Sequence, residues 1–282
     1  MKTLLAFLGI LLLTSSSFGQ VDTTKLVIGW NHGVSASLNI NQVAFSDWAT
    51  GGDDAISYNA TIIGKSIEER EMTSWTNNYK FGYGQANLAN KGLRKTDDII
   101  DLESIIAYKL NTYVNPYAAI TFKTSFTTGY EYAPDGTKTA ISSFLDPAYS
   151  RQAVGVGFIP IPQLKTRVGI ALRETIADKY TRWTDDPSTA EIEKTRIEGG
   201  IEWVTEATFT IDDNVFYTSK LETFGAFKNF DKWVIYNDNV ITAKVSKLIS
   251  AVFSVTIRYE EFVIARTQIR EGLSLGISYQ LL

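Results

Sequence analysis

"LSLGISYQLL", residues 273–282, alternates without a break: Leu273, Leu275, Ile277, Tyr279 and Leu281 share one face, and Ser274, Gly276, Ser278 and Gln280 the other. Successive side chains of a β-strand point to opposite faces, so this period of two predicts a strand with one apolar and one polar side. Free termini fray. So regular a segment is therefore expected to be held by neighbours, either as an ordinary sheet strand or as the closing strand of a barrel.

The same period recurs upstream. Val34, Ala36, Leu38 and Ile40 alternate with polar residues, as do Ile56, Tyr58, Ala60 and Ile62, then Ala118, Ile120 and Phe122, then Val168, Ile170 and Leu172, then Ile249 to Ile257. Trp233 to Val245 departs from it, with Asn237 and Asn239 where apolar residues are expected. In all, about twelve segments are predicted, mostly of the ~9–11 residues that a tilted membrane strand needs. Short links (Asn111-Thr112, Pro160 to Gln163, Ser246-Lys247) alternate with long polar ones (Glu131 to Tyr149, Ile176 to Lys194), the rhythm of short turns at one barrel end and long loops at the other. Ser66 to Thr73, "SIEEREMT", breaks the rhythm by standing where a short turn belongs.

Lys2, the apolar run Leu4 to Leu13 and the small-residue site Ser17-Phe18-Gly19 have the order of a secretory signal peptide. Residues 1–19 are expected to be removed, leaving 20–282 as one barrel domain without linker or internal repeat. The chain of 282 residues has 44% hydrophobic and 12% aromatic residues and no cysteine. Disulfides, thiolate metal sites and a lipidated N-terminus are thereby excluded. With 27 basic and 31 acidic residues there is no basic stripe, which excludes nucleic acid as a partner.

Alternation does not say which face is inside. A soluble barrel buries the apolar face, whereas a membrane barrel turns it to lipid. Export without disulfides, the loop rhythm, and aromatic residues near strand ends (Tyr108, Tyr113, Tyr117, Trp233, Tyr259, Tyr279) favour the membrane. The polar face then lines the lumen, and Lys165, Arg167, Arg173, Glu198, Glu202, Lys220 and Glu222 are its candidate residues. Isolated ions in a narrow interior are costly, so Arg167 or Arg173 is expected to meet Glu198 or Glu202 and narrow the pore.

Catalysis has little to stand on. His32 is the only histidine and precedes the first predicted strand, at the end away from the long loops, so a Ser-His or Asp-His site at the outer rim is not expected. One imidazole and no thiol make no zinc site. The pairs Asp53-Asp54, Asp97-Asp98, Asp185-Asp186 and Asp212-Asp213 read as turn-forming carboxylates and lack a calcium ligand ladder. No enzyme activity, cofactor or metal is expected.

"INQVAFSDWATGGDDAISYNATI", with Asn39, Gln42, Asp47, Trp48, Ala49, Gly51 and Gly52, resembles the N-terminal hallmark of an uncharacterised family of Gram-negative outer-membrane β-barrels. "RKTDDIIDLES" at Arg94 to Ser104, "FLDPAY" at Phe144 to Tyr149 and "QIREGLSLGISY" at Gln268 to Tyr279 are similar in order and spacing. Trp48, Gly51 and Gly52 are expected in an outer loop, the glycines allowing a tight return and the indole anchoring at the interface. Ser274, Gly276, Tyr279 and Leu281 resemble the C-terminal signal by which the barrel assembly machinery takes up outer-membrane proteins, with Leu282 where an aromatic residue is usual. The resemblance implies an outer-membrane location, lipid and that machinery as partners, and no known activity. The function expected is a narrow porin-like channel for small polar solutes; the alternative is a non-transporting structural or assembly partner in an outer-membrane complex.

Overall fold

A computed structural model describes residues 27–43, 55–88, 92–186, 188–262 and 264–280. The strands are β1 (Gly29–Val43), β2 (Ala55–Glu69), β3 (Thr73–Leu88), β4 (Gly92–Tyr108), β5 (Val114–Thr124), β6 (Gly129–Tyr132), β7 (Lys138–Ser142), β8 (Ala148–Ile161), β9 (Leu164–Ile176), β10 (Thr195–Asp212), β11 (Val215–Ala226), β12 (Trp233–Lys244), β13 (Ile249–Glu260) and β14 (Ile264–Gln280). Twelve of them close an antiparallel barrel in the order β1-β14-β13-β12-β11-β10-β9-β8-β5-β4-β3-β2, and β6 with β7 makes a separate hairpin. Closure gives every strand two neighbours, the condition for crossing a bilayer with strands. The expected signal peptide at 1–19 lies outside the described residues.

The connections sort by end. Links 70–72, 109–113, 162–163, 213–214 and 245–248 lie at one end, while 125–147 and 177–194 lie at the other. Ser66 to Thr73 turns out not to break the rhythm. β2 runs on to Glu69 and β3 begins at Thr73, so most of "SIEEREMT" is strand and the reversal is short. Glu69 and Ser74 pair, and the Arg70 backbone N–H donates to the Thr73 carbonyl at 2.9 Å.

Apolar side chains face outward. Leu38, Ile62, Leu102, Ile120, Val154, Ile170, Ile197, Phe253 and Ile277 are all exposed, one after another around the wall. A soluble monomer does not show water so large a continuous apolar surface. A transmembrane barrel shows it to lipid. Near the short-turn end Trp30 lies 5.7 Å from Trp75, and the Trp75 indole N–H donates to Ser104 Oγ at 2.8 Å, an amphipathic arrangement suited to the membrane interface.

Asn237 and Asn239 also face outward, on the same side of β12 as Ile235 and Ile241, and they are satisfied locally. The Tyr217 hydroxyl donates to Asn239 Oδ1 at 2.8 Å, Asn239 Nδ2 donates to Asn237 Oδ1 at 3.1 Å, and Ser219 Oγ donates to the same oxygen at 3.4 Å. A ladder of side-chain hydrogen bonds thus runs across β11 and β12 within the apolar wall.

Among the described residues the closing seam is short. β1 pairs with β14 from Ser35↔Gln280 to Asn39↔Gly276 and with β2 along its whole length, Gly29↔Glu69 to Val43↔Ala55.

Candidate functional site

The lumen is built unevenly, and one row of residues explains why. Tyr117, Gly155, Gly169 and Glu202 are direct cross-strand partners on β5, β8, β9 and β10. With no Cβ on the two middle strands, Tyr117 reaches over both glycines and donates its hydroxyl to Glu202 Oε1 at 2.6 Å. A Cβ at Gly169 would sit 2.4 Å from the Val154 carbonyl oxygen and 2.7 Å from the Tyr117 hydroxyl oxygen. The neighbouring row, Ala119, Ala153, Ala171, Gly200 and Ala226, is also small. There Phe224 lies against Gly200, where a Cβ would meet its ring at 2.7 Å. Tyr117, Ala153, Ala171, Phe224 and Ala226 form a buried cluster along this wall.

An ionic network runs through this layer and to either side of it. Glu103 on β4 meets Arg167 on β9 at 2.6 Å and Lys220 on β11 at 3.2 Å, so it bridges the lumen. Lys220 continues to Glu222 at 2.9 Å, and Glu222 to Lys123 on β5 at 3.1 Å. Glu202 meets Arg151 on β8 at 3.0 Å and Arg167 at 3.6 Å. Nearer the long loops Arg173 meets Glu260 on β13 at 2.5 Å and Glu198 at 3.9 Å, while Glu198 also holds Arg196, and the Tyr236 hydroxyl donates to Glu260 at 2.6 Å. Glu202 is 1% exposed, Glu103 5% and Arg167 8%. Charges so deeply placed persist because each has counter-charges within reach.

The opposite wall carries short polar side chains, among them Ser35, Ser37 and Asn39 on β1 and Ser57, Asn59 and Thr61 on β2. Beside the network a cavity of about 1260 Å³ stays open. Its lining includes Pro162 and Gln163 of a short turn and Tyr130 and Tyr132 of the β6–β7 hairpin. It therefore touches both ends of the barrel. Arg94 stacks on Tyr132 at 4.1 Å and Lys138 on Tyr130 at 4.7 Å, giving the hairpin a cationic and aromatic rim. Loop 177–194 is tied down by Asp146, which accepts the backbone N–H groups of Asp178, Lys179 and Tyr180. Its ends are also joined by Lys194 and Asp178 at 2.5 Å, a hydrogen bond and charge that hold the Asp178 carboxyl below its usual range. Among the described residues no group of three or more His, Asp or Glu side chains is placed to hold a metal ion.

The structure places Lys165, Arg167, Arg173, Glu198, Glu202, Lys220 and Glu222 on the inward face. It brings Arg167 to Glu202 and Arg173 to Glu198, although each arginine has a closer partner, Glu103 or Glu260. Arg151 and Glu260 complete the networks. Parity with Ala153 and Gly155, and with Ser254 and Arg258, was the available signal for them. Tyr117 is no girdle residue. It is buried in the lumen, on the opposite face from Ala118, Ile120 and Phe122 by parity. His32 lies within β1, stacked on Trp30 at 5.5 Å and in contact with Ser66 Oγ at 2.9 Å, so the strand begins earlier than expected. Asp97 and Asp98 belong to β4 rather than a turn. Asp97 meets Arg270 at 3.1 Å, and Asp98 accepts the backbone N–H groups of Phe126 and Thr127.

Trp48, Gly51, Gly52 and the pair Asp53-Asp54 lie outside the described residues, as does Leu281. Gly276 pairs with Asn39 across the seam, where an added Cβ would collide with Asn39 Oδ1 at 1.8 Å. Tyr279 pairs with Ala36 and is 38% exposed.

The fold and its lumen define an all-β transmembrane barrel of twelve antiparallel strands with an ionic network across its interior. Residues 40–130 match the model of a family described as protein of unknown function (DUF3078). No curated protein matches the chain. Among solved structures it is similar to the translocator domain of the autotransporter NalP from Neisseria meningitidis, at 10% identity and a TM-score of 0.41, covering 90% of this chain and 89% of that one. It is also similar to an outer membrane channel from Pseudomonas putida F1, at 10% identity and 0.42, covering 91% and 96%. A third likeness is to the porin NanC, at 9% identity and 0.36, covering 87% and 97%. Such slight likenesses do not say what the barrel does.

Proposed function

We propose that this barrel resides in the outer membrane of a Gram-negative bacterium, with its short turns in the periplasm, and acts as a narrow channel for small polar solutes. The observation that carries this reading is the cavity of about 1260 Å³ lined by residues of both barrel ends. Twelve strands fall between the ~8 whose interior is filled by side chains and the ~16–18 that leave a broad aqueous pore. The Glu103–Arg167–Glu202 network supplies the constriction and the β6–β7 hairpin the outer rim. The alternative, a non-transporting structural or assembly partner, draws support from how much of the lumen these ion pairs occupy.

Planar-bilayer conductance of the purified, refolded protein is the test. Discrete single-channel steps are expected, and neutralising Glu198 and Glu202 together to glutamine is expected to raise conductance or shift preference towards anions. A wild type and a double variant that both insert normally and stay electrically silent make the structural partner the better reading.

A further inference from the structure

The chain as a whole is acidic, with a formal net charge of −4. Its lumen is not. Among the described residues that line the cavity are eleven lysines and arginines against eight aspartates and glutamates, an excess of three positive charges. The sign therefore inverts between the molecule and its interior. The networks around Glu103, Glu222 and Glu260 pair many of these cations, so the excess has to sit elsewhere.

Part of it lies between mid-barrel and the short-turn end. Lys65 on β2 lies four residues before that strand ends, and Lys165 is the second residue of β9, on the other side of the barrel. Both line the cavity, and Lys165 is within electrostatic reach of Lys65. Lys80 on β3 lines it too. None of these three forms an ion pair within 4.0 Å among the described residues. The nearest acids are otherwise engaged: Glu206, the cross-strand partner of Lys165, is drawn towards Arg167 at 3.9 Å, Glu69 is held by Lys109, and Asp101, the cross-strand partner of Lys80, meets Lys123 at 3.3 Å.

Like charges converging on one cavity are unfavourable unless something of opposite sign occupies the space between them. A cleft of one sign with low-dielectric walls concentrates counter-ions. Resting on the channel reading above, we infer that the lumen selects anions and that Lys65, Lys80 and Lys165 form a site for a small carboxylate- or phosphate-bearing solute. Lysine suits the task as a mobile point charge that binds and releases an oxyanion without the fixed geometry of an arginine fork. A solute passing the Glu103–Arg167 constriction thus meets unpaired cations alongside it, Lys65 in the same cross-strand row as Glu103 and Lys165 two residues from Arg167, which favours its retention over that of a cation.

Reversal potentials in planar bilayers under a potassium chloride gradient read the selectivity directly. The wild type is expected to favour chloride over potassium by about tenfold, the low end of the enrichment that such a cleft gives. Lys65→Gln with Lys165→Gln is expected to bring the ratio close to one, while Lys65→Arg with Lys165→Arg keeps it. A conducting wild type that is unselective or prefers potassium overturns the anion assignment and leaves the channel reading standing. If the wild type passes no current, isothermal titration of the folded barrel in detergent with citrate decides. Binding that the glutamine pair loses and the arginine pair keeps supports the lysine site while discarding the channel; no citrate binding overturns the site as well.

Discussion

Glu202 is the residue whose removal should hurt the barrel most for its size. Its carboxylate is 1% exposed and takes the Tyr117 hydroxyl at 2.6 Å, Arg151 at 3.0 Å and Arg167 at 3.6 Å. Breaking a buried pair costs about 3–5 kcal/mol when the surviving charge is left alone. Neither arginine is left alone here, since Arg167 keeps Glu103 at 2.6 Å and Arg151 keeps Glu222 at 3.6 Å. Glu202→Gln also preserves an acceptor for Tyr117, so its cost falls to about 1.5–3 kcal/mol, the worth of hydrogen bonds to a charged group. Glu202→Leu strands the Tyr117 hydroxyl as well, and the total returns to about 3–5 kcal/mol. As a control, Glu131 in the hairpin meets Arg182 at 3.8 Å with both side chains largely exposed, and Glu131→Gln should change stability by less than about 0.5 kcal/mol. Urea titrations of the barrel folded into phospholipid vesicles, followed by tryptophan fluorescence, give all three values. If Glu202→Leu is no more damaging than Glu131→Gln, the network does not hold the wall together and the reasoning fails.

Three further outcomes are expected. Arginine at outward-facing Val255 should cost about 2–4 kcal/mol if that position is near the bilayer midplane, whereas arginine at inward-facing Ser254 should be milder; equal costs in the same vesicle titration would contradict the assignment of faces. Tyr117→Phe should lose about 1.5–3 kcal/mol in the wild-type background and far less in Gly169→Ala, because the added methyl already displaces the ring; strict additivity in this double-mutant cycle would show that the glycine trough does not seat the tyrosine. Deleting Tyr279 to Leu282 removes the partners of Ser35 and Ala36 from a seam that has few pairs to spare, and heat-modifiable barrel should vanish from the outer-membrane fraction; its persistence there would mean the last residues neither close nor target the barrel.

Much of this architecture was readable because a barrel obeys a strict rule. Each strand alternates, so Arg167 and Arg173 fall on the polar side of Val168, Ile170 and Leu172 whatever the rest of the chain does. Pairing partners are another matter. Glu260 reaches Arg173 from β13 and Glu103 reaches Arg167 from β4, contacts set by barrel closure and curvature rather than by the local pattern. Tyr117 was misplaced for a related reason: an aromatic residue near a strand end suits a membrane girdle, and only the cross-strand glycines Gly155 and Gly169 reveal that it has somewhere inside to lie. Turn length failed at Ser66 to Thr73 because its charged residues look like loop, yet Glu68 and Glu69 sit on paired strand backbone at the rim. The lysine chamber was legible only as scattered charges, since Lys65, Lys80 and Lys165 come together through the closed topology.

The outward ladder of Tyr217, Ser219, Asn237 and Asn239 has a consequence for assembly. Water outside the membrane offers an amide replacement partners at every orientation; hydrocarbon offers none. A one-residue slip between β11 and β12 would rotate one strand's polar members into the lumen and leave the other's facing acyl chains unsatisfied, and a two-residue slip would keep the faces but offset the groups from one another. An apolar wall is indifferent to such errors, because leucine against isoleucine is much like isoleucine against valine. These few polar atoms work like the notch on a key: in the medium where mistakes are hardest to undo, the hairpin of β11 and β12 has one alignment that satisfies its hydrogen bonds.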